Sequence, residues 1–388
     1  MTDRQLFGGA TRLLGMKLTL LRGVLAAALG SATLLVPGSS ADAAQAPVAP
    51  MTTAVATVTP GSYLAVVEQG PDAKDFGGII ARSQSLVLVT PTGQTQTLYT
   101  RRVRHYNGFS LTDWSVDGAT ALLAMQRHGD AKLVGLDLAT GATRVLKVPH
   151  FLSAVLDPAG TGVIVTAFKG PRSDEQVLET ISWSGVVTLL RSGINGTVMA
   201  GHDGTVLTSD RDHARVQLLV STSTGAVLNR FRGQGYCAPV RWWDATRVLE
   251  TCGNHYDLYL VDPTTGHADQ LTDDHGRGDG GHLDARYAGQ TLYVQVAGPC
   301  GYTYVAKVTR HSTRHLDVPG AVGNVIMVNA VGNDLVIEHA ASCDGDRPRS
   351  VLSLFDPVSH DETPLLQLGR HQDFGRILLL GEVRVSSY

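Results

Sequence analysis

Residues 258–271, LYLVDPTTGHADQL, hold the pattern that decides the fold: an alternating apolar run, a small turn about Thr265-Gly266, and a second run. The same punctuation recurs as LVGLDLATGATRVLKV at 133–148 around Thr140-Gly141, and as VQLLVSTSTGAVLNRF at 216–231 around Thr224-Gly225. Looser copies centre on Thr92-Gly93, Ser184-Gly185, Arg310 to Thr313, and Val358 to Asp361. Alternation with period two is what a strand with two unlike faces requires. Successive centres fall about 40 to 48 residues apart, the period of a four-stranded propeller blade.

A second kind of hairpin lies between these. Leu111 to Met125 turns at Asp117-Gly118, Leu152 to Phe168 at Asp157 to Gly160, and Thr197 to Ser209 at Asp203-Gly204. Val240 to Cys252 turns near Asp244, Leu283 to Val296 near Gly289, and Val325 to Glu338 near Gly332 to Asp334. Asp and Gly suit these turns because glycine tolerates positive φ and Asp or Asn can reach it. Two hairpins per period make four strands per unit, and no helical periodicity is visible after the N-terminal segment. The unit at about 62–100 lacks an opening strand, whereas Arg376 to Tyr388 is strand-like with no hairpin after it. The expectation is therefore an all-β fold, a single seven-bladed β-propeller over residues 61–388, with N- and C-terminal strands closing one blade. Six or eight blades, or a pair of sandwiches, are the alternatives.

The composition bounds the function. With 43% hydrophobic, 17% charged residues and 43 Gly without a three-residue period, the 388-residue chain is neither disordered nor collagen-like. The formal charge is −3; the first 43 residues carry Arg4, Arg12, Lys17 and Arg22 against Asp3 and Asp42, a surplus of +2, so the remainder stands near −5. A weakly acidic body argues against nucleic acid and anionic lipid as partners.

Lys17 and Arg22 lead into the uncharged run Val24 to Val36, then the break Pro37-Gly38-Ser39-Ser40 and the small residues of Ala41-Asp42-Ala43. This reads as a signal peptide over 1–43, cut after Ala43 with Ala46 as the second choice, and a linker rich in Ala, Thr and Pro over 44–60. Met16 is an alternative start. The apolar run is short for a membrane span, and nothing after residue 50 is long and apolar enough for one. The protein is expected to be secreted or extracytoplasmic. Its four cysteines, Cys237, Cys252, Cys300 and Cys343, suit an oxidising compartment; they allow three pairings, and without a C-x-x-C a structural zinc is not expected.

The repeat resembles the TolB-like, WD40-like class of propeller. The likeness rests on Trp114-Ser115-Val116-Asp117-Gly118, close to that class's Trp-Ser-Pro-Asp-Gly turn, on Asp210-Arg211-Asp212 leading into Val216 to Val220, and on Asp257-Leu258-Tyr259-Leu260-Val261-Asp262. TolB-like domains are often scaffolds for protein contacts in the cell envelope, and that is the role the resemblance implies. It is a repeat pattern, and no functional residue is carried over from it.

Loops joining the second strand of a blade to the third share one face with loops joining successive blades, and all four cysteines belong to that face. The positions of Cys237 and Cys252 place them opposite one another across a hairpin centred between Asp244 and Ala245, with Trp243 to Thr246 as its loop and Pro239 at a position that donates no ladder hydrogen bond. By elimination Cys300 pairs with Cys343; free buried thiols are the alternative. His105, His150, His282 and His371 lie near the starts of innermost strands on that face, with His128, His255 and His339 on its other loops. Converging on a central channel, they would bind a divalent metal or carry protons, against the plainer reading of loop hydrogen bonding. Asp273, Asp274, Asp279 and Asp284 form an acidic loop that would offer carboxylates to calcium, or serve only as a turn. The adjacent Trp242 and Trp243 point to opposite sides of their strand.

There is no G-x-S-x-G elbow, H-E-x-x-H, Walker loop or strand-to-helix G-x-G-x-x-G. The sequence therefore favours a monomeric, non-enzymatic scaffold that binds a protein or glycan at the envelope or outside it, with no cofactor. The alternative is a metal-assisted lyase or hydrolase, lactonase-like, with its site in the central channel.

Overall fold

The structure, a computed structural model, describes residues 58–70, 82–103, 108–127, 129–201, 203–213, 215–253, 256–273, 280–298, 302–309, 313–341, 349–369 and 371–382. The signal-peptide segment and all but the last three residues of the linker lie outside that set. Among the described residues all regular structure is strand, and no helix is long and apolar enough to cross a membrane.

The chain is an all-β propeller. Its first sheet holds β1 (Tyr63–Gln69), β2 (Ser83–Val89) and β3 (Thr95–Arg102). The next is β4 (Ser110–Trp114), β5 (Thr120–Arg127), β6 (Asp130–Asp137) and β7 (Thr143–Val148). Then come β8 (Phe151–Leu156), β9 (Gly162–Phe168), β10 (Gln176–Ser182), β11 (Val187–Ala200), β12 (Thr205–Asp210), β13 (Val216–Ser221) and β14 (Val227–Arg232). The remaining sets are β15 (Cys237–Trp242), β16 (Val248–Cys252), β17 (Asp257–Val261) and β18 (Ala268–Gln270); β19 (His282–Ala288), β20 (Thr291–Ala297), β21 (Thr303–Val308) and β22 (Thr313–His315); and β23 (Ala321–Val331), β24 (Asp334–Ala341), β25 (Arg349–Phe355) and β26 (Glu362–Gln367). The last strand, β27 (Gln372–Leu379), returns to the first sheet in the order β27-β1-β2-β3.

Among the described residues, hydrogen bonding gives five four-stranded sheets and one seven-stranded sheet, β8 to β14, in place of seven separate sets. The merger has a local cause. Strand β11 pairs with β10 through Val187 to Ile194 and with β12 through Ile194 to Ala200, so one strand serves two sets. The chain redirects itself between them at Gly193 (φ 71°) and Gly196 (φ 87°), where a side chain would be strained, and no separate loop intervenes.

The expected closure is present: β27 pairs antiparallel with β1, from Tyr63 opposite Leu379 to Gln69 opposite Gln372. The closing strand begins at Gln372 rather than Arg376, because Gly375 and Arg376 are not a break before the strand but a bulge inside it, between the partners Phe374 and Ile377. Inner-strand bulges recur between Leu111 and Asp113, Phe151 and Ser153, Pro239 and Arg241, His282 and Asp284, and Met327 and Asn329.

The core lies between consecutive strand sets, which explains why the second strands read as nearly unbroken apolar runs. In β5, Ala121, Leu123 and Met125 pack towards β1 and β2, whereas Leu122 and Ala124 pack towards β8 and β9. Seven such apolar clusters occur among the described residues. Outermost strands such as β3, TQTLYTRR, are polar and half exposed, as edge strands must be. At the opposite end from Cys237 and Cys252, turn aspartates close the hairpins: Asp262 accepts from the Thr264 hydroxyl and amide (2.6 and 2.8 Å), which holds its carboxyl below the usual range.

Candidate functional site

Two groupings of polar side chains stand out, one along the inner strands and one at the end that carries Cys237 and Cys252. Along the inner strands, residues after the bulges bond to an adjacent strand set. Asp113 Oδ2 accepts from the Leu156 amide (2.7 Å), Trp242 Nε1 donates to the Ala200 carbonyl (2.8 Å), and Arg286 Nη2 donates to the Val328 carbonyl (3.3 Å). These partners are 42 or 43 residues apart, the repeat length expressed as contacts. Burial pushes the Asp113 carboxyl up to about 6, against the amides of Leu156 and Trp114 and the charge of Arg376.

Arg241, Asp284, Arg286 and Glu382 form a buried ionic cluster. Arg241 Nε lies 3.0 Å from Asp284 Oδ1 and 3.4 Å from Glu382 Oε1. Arg286 Nη2 pairs with the same Glu382 oxygen and stands 3.8 Å from Asp284 Oδ2. Every one of these side chains is 10% exposed or less, so each charge depends on its partners. The Arg241 guanidinium also sits 4.9 Å from the Trp243 ring centre, itself edge-on to Tyr287. Glu382 follows β27, so the residue three positions past the closing strand is tied to strands β15 and β19.

At the other end, Cys237 and Cys252 are direct partners across β15 and β16 and form a disulfide, as the spacing predicted. The hairpin differs in detail: a bulge between Pro239 and Arg241 takes up Val240 and leaves Trp243 to Arg247 as the loop. The bridge closes a loop of sequence separation 15, so replacing both cysteines by alanine is expected to cost about 3 kcal/mol in a denaturant-unfolding measurement.

Glu250 lies two residues before Cys252 on the same side of β16, with no solvent exposure. Burial pushes its carboxyl up to about 7, offset in part by Gln217. Burial also raises Glu338 to about 8, helped by the charge of Asp373. A folded-state pKa above the unfolded value means that the native state retains a proton the unfolded chain releases. Stability is therefore expected to fall as pH rises from about 5 to 8. Glu250→Gln should match the parent at about pH 5 and exceed it at about pH 8 by up to roughly 3 kcal/mol, read from melting curves across pH.

Three tyrosines in connections at the disulfide-bearing end of the strands are open. Tyr236 precedes β15 and is 61% exposed, Tyr256 in the β16–β17 connection 50%, and Tyr302 in the β20–β21 connection 55%. Tyr236 is stacked under Arg215 at 5.1 Å and its carbonyl accepts from Gly253 (3.0 Å), while Tyr256 adopts φ 54°, an unfavourable backbone for a bulky residue.

The other predicted residues are dispersed. His282 is fully buried with Nδ1 2.9 Å from the Thr272 hydroxyl. His150 and His371 are left-handed turn residues (φ 53° and 66°), the former bonded through its amide to Asp130 (3.1 Å). His339 is buried with Nε2 2.7 Å from Glu362. Asp284 faces two guanidiniums instead of a loop cation, because it lies inside β19 beyond the bulge and not in the acidic turn. Trp242 is buried and Trp243 half-buried, as their opposite directions require. His105, His128, His255, Asp274, Asp279, Cys300 and Cys343 lie outside the described residues. Among the described residues, the one group of three metal-capable side chains with mutually close ligand atoms contains no histidine; it is Cys237, Glu250 and Cys252.

The sequence matches no protein-family model, and no curated protein matches it. Solved structures do. A prolyl endopeptidase is similar at 13% identity and TM-score 0.51, over 80% of this chain and 50% of that one. TolB from Acinetobacter baumannii is similar at 12% identity and TM-score 0.47, over 82% and 66%. The β-propeller domain of the Trilobed protease from Pyrococcus furiosus is similar at 10% and 0.47, over 69% and 85%. This chain thus spans half the length of the endopeptidase. At such identities what is shared is the fold.

Inspection of the sequence missed Arg241, Arg286, Glu382, Asp113 and Glu250. For three of them a signal existed: a charge inside an apolar inner strand, in LTDWSV, PVRWW and LDARY.

Proposed function

We propose that this chain is an exported, non-enzymatic seven-bladed propeller that binds a protein or glycan through the face braced by the Cys237–Cys252 disulfide. The observation that carries the reading is the set of open tyrosines in connections at the end of the strands that bears that bridge, Tyr236, Tyr256 and Tyr302. Tyrosine presents a large, stiff, amphipathic surface at low entropic cost, which suits recognition of sugars and of protein surfaces. The ionic cluster and disulfide hold the strands beneath them rigid, and the loops carry the specificity. Assigning each half of β11 to its own strand set makes seven blades, a count supported by the seven apolar clusters. Export is supported by the bridge, a bond that persists in oxidising compartments, together with the basic-apolar-small order of residues 17–43.

The test is site-specific photo-crosslinking on the native envelope and medium. A crosslinker at Tyr302 should capture a discrete partner or polysaccharide, and one at Val358, 82% exposed at the far end, should not. Equal labelling from both positions, or none from Tyr302, overturns the reading.

A further inference from the structure

The strands at the bridged end place three ligand-type atoms together. Cys237 and Cys252 face each other in register, and Glu250 shares their side of the hairpin, so that two sulfurs and a carboxylate oxygen all lie within 4.8 Å of one another. Glu250 Oε2 stands 3.9 Å from Cys252 Sγ; Gln217 eases the burial of the carboxyl, and among the described residues its buried Oε1 has no partner at close hydrogen-bonding distance. Enclosing a carboxyl is costly, and this one is placed directly beside two sulfurs. With the bridge closed, the sulfurs carry no charge and hold no cation, because the thiolate is the metal ligand.

We propose that reduction of this bridge opens a binding site for a thiophilic divalent cation, with Zn²⁺ held by Cys237, Cys252 and Glu250 and a water in the fourth position. Two sulfurs and one oxygen around an open tetrahedral place is a donor set that suits zinc and disfavours calcium or magnesium. The redox step balances with an external dithiol. It supplies two electrons and two protons, the S–S bond breaks to two thiols, and the dithiol becomes its own disulfide. Zinc then displaces the two thiol protons and the carboxyl proton where that is present. Cys237 is only half-buried, which leaves the bridge a route to solvent. The device makes the bridged face sensitive to its redox surroundings, and it does not depend on the partner proposed above.

The experiment uses the full chain, oxidised or reduced with a phosphine, with and without Zn²⁺, followed by alkylation and peptide mapping. Zinc should protect Cys237 and Cys252 from alkylation in the reduced protein, whereas the oxidised protein should take up no zinc at this bridge. Competition with a chromogenic chelator should show one bound ion lost in Cys252→Ser. In Glu250→Gln its affinity should be weakened at least about tenfold, the low end for disturbing a metal's surroundings. Unchanged melting of Glu250→Gln at about pH 5 establishes that it folds, and protection mapped in the unmodified chain needs no variant. Alkylation of both cysteines undiminished by zinc, or undiminished affinity in Glu250→Gln, overturns the proposal.

Discussion

Ending the chain after Gly369 is expected to abolish cooperative unfolding. The deletion removes β27, the inner strand of the first sheet, and with it Phe374 and Leu378, both buried. Those two side chains alone represent roughly 3–6 kcal/mol of apolar burial, at about 1.5–3 kcal/mol each. That is a large part of the roughly 5–15 kcal/mol that holds a typical domain together. The loss does not stop there: the β1 edge from Tyr63 to Gln69 forfeits its ladder, and an unpaired inner edge invites association. Calorimetry of the shortened chain should show a broad, non-two-state transition, with dye binding to exposed apolar surface. A sharp transition near that of the full chain would refute closure by β27.

Glu382→Ala is expected to cost about 3–5 kcal/mol, the range for removing one partner of a buried ion pair. The reason is what it leaves behind. Two buried guanidiniums, Arg241 and Arg286, would lose a carboxylate they share, while Asp284 stays beside both. The midpoint of thermal unfolding should drop by about 10 °C, taking roughly 2–4 °C per kcal/mol. Glu382→Gln, which keeps an acceptor oxygen, should lose less. Replacing Arg286 by Met together with Glu382 by Leu should restore much of the loss, because removing both partners avoids the stranded charge. A drop below about 1 °C in Glu382→Ala would mean that the cluster is solvated in solution.

The same contrast separates what could be inferred residue by residue from what could not. Strand boundaries, hairpin turns and the blade period were legible because each depends on neighbours in sequence. Alternation in Leu258 to Val261 reports two faces, and Asp262 with Gly266 reports the turn that follows. Even the Cys237–Cys252 bridge is local in this sense, since a hairpin register fixes it. Counting fixed the closing strand to within a few residues, and the error at Gly375-Arg376 came from an inner-strand bulge that no pattern of polarity marks.

The polar interior was a different matter. His282, His150 and His371 looked equivalent by their place in the repeat, yet one is buried against Thr272 and two serve as left-handed turns. Asp284 looked like a loop carboxylate, and the bulge carries it into the sheet, beside Arg241. Sequence alone determined that this chain makes repeated four-stranded units with a bridged hairpin, because those features arise from short-range sterics and side-chain periodicity. Only the tertiary structure decided that Arg286 meets Glu382 across 96 positions, and that Glu250 lies enclosed beside a disulfide. Burial and charge pairing depend on which distant strands arrive together, and a one-residue bulge is enough to change that.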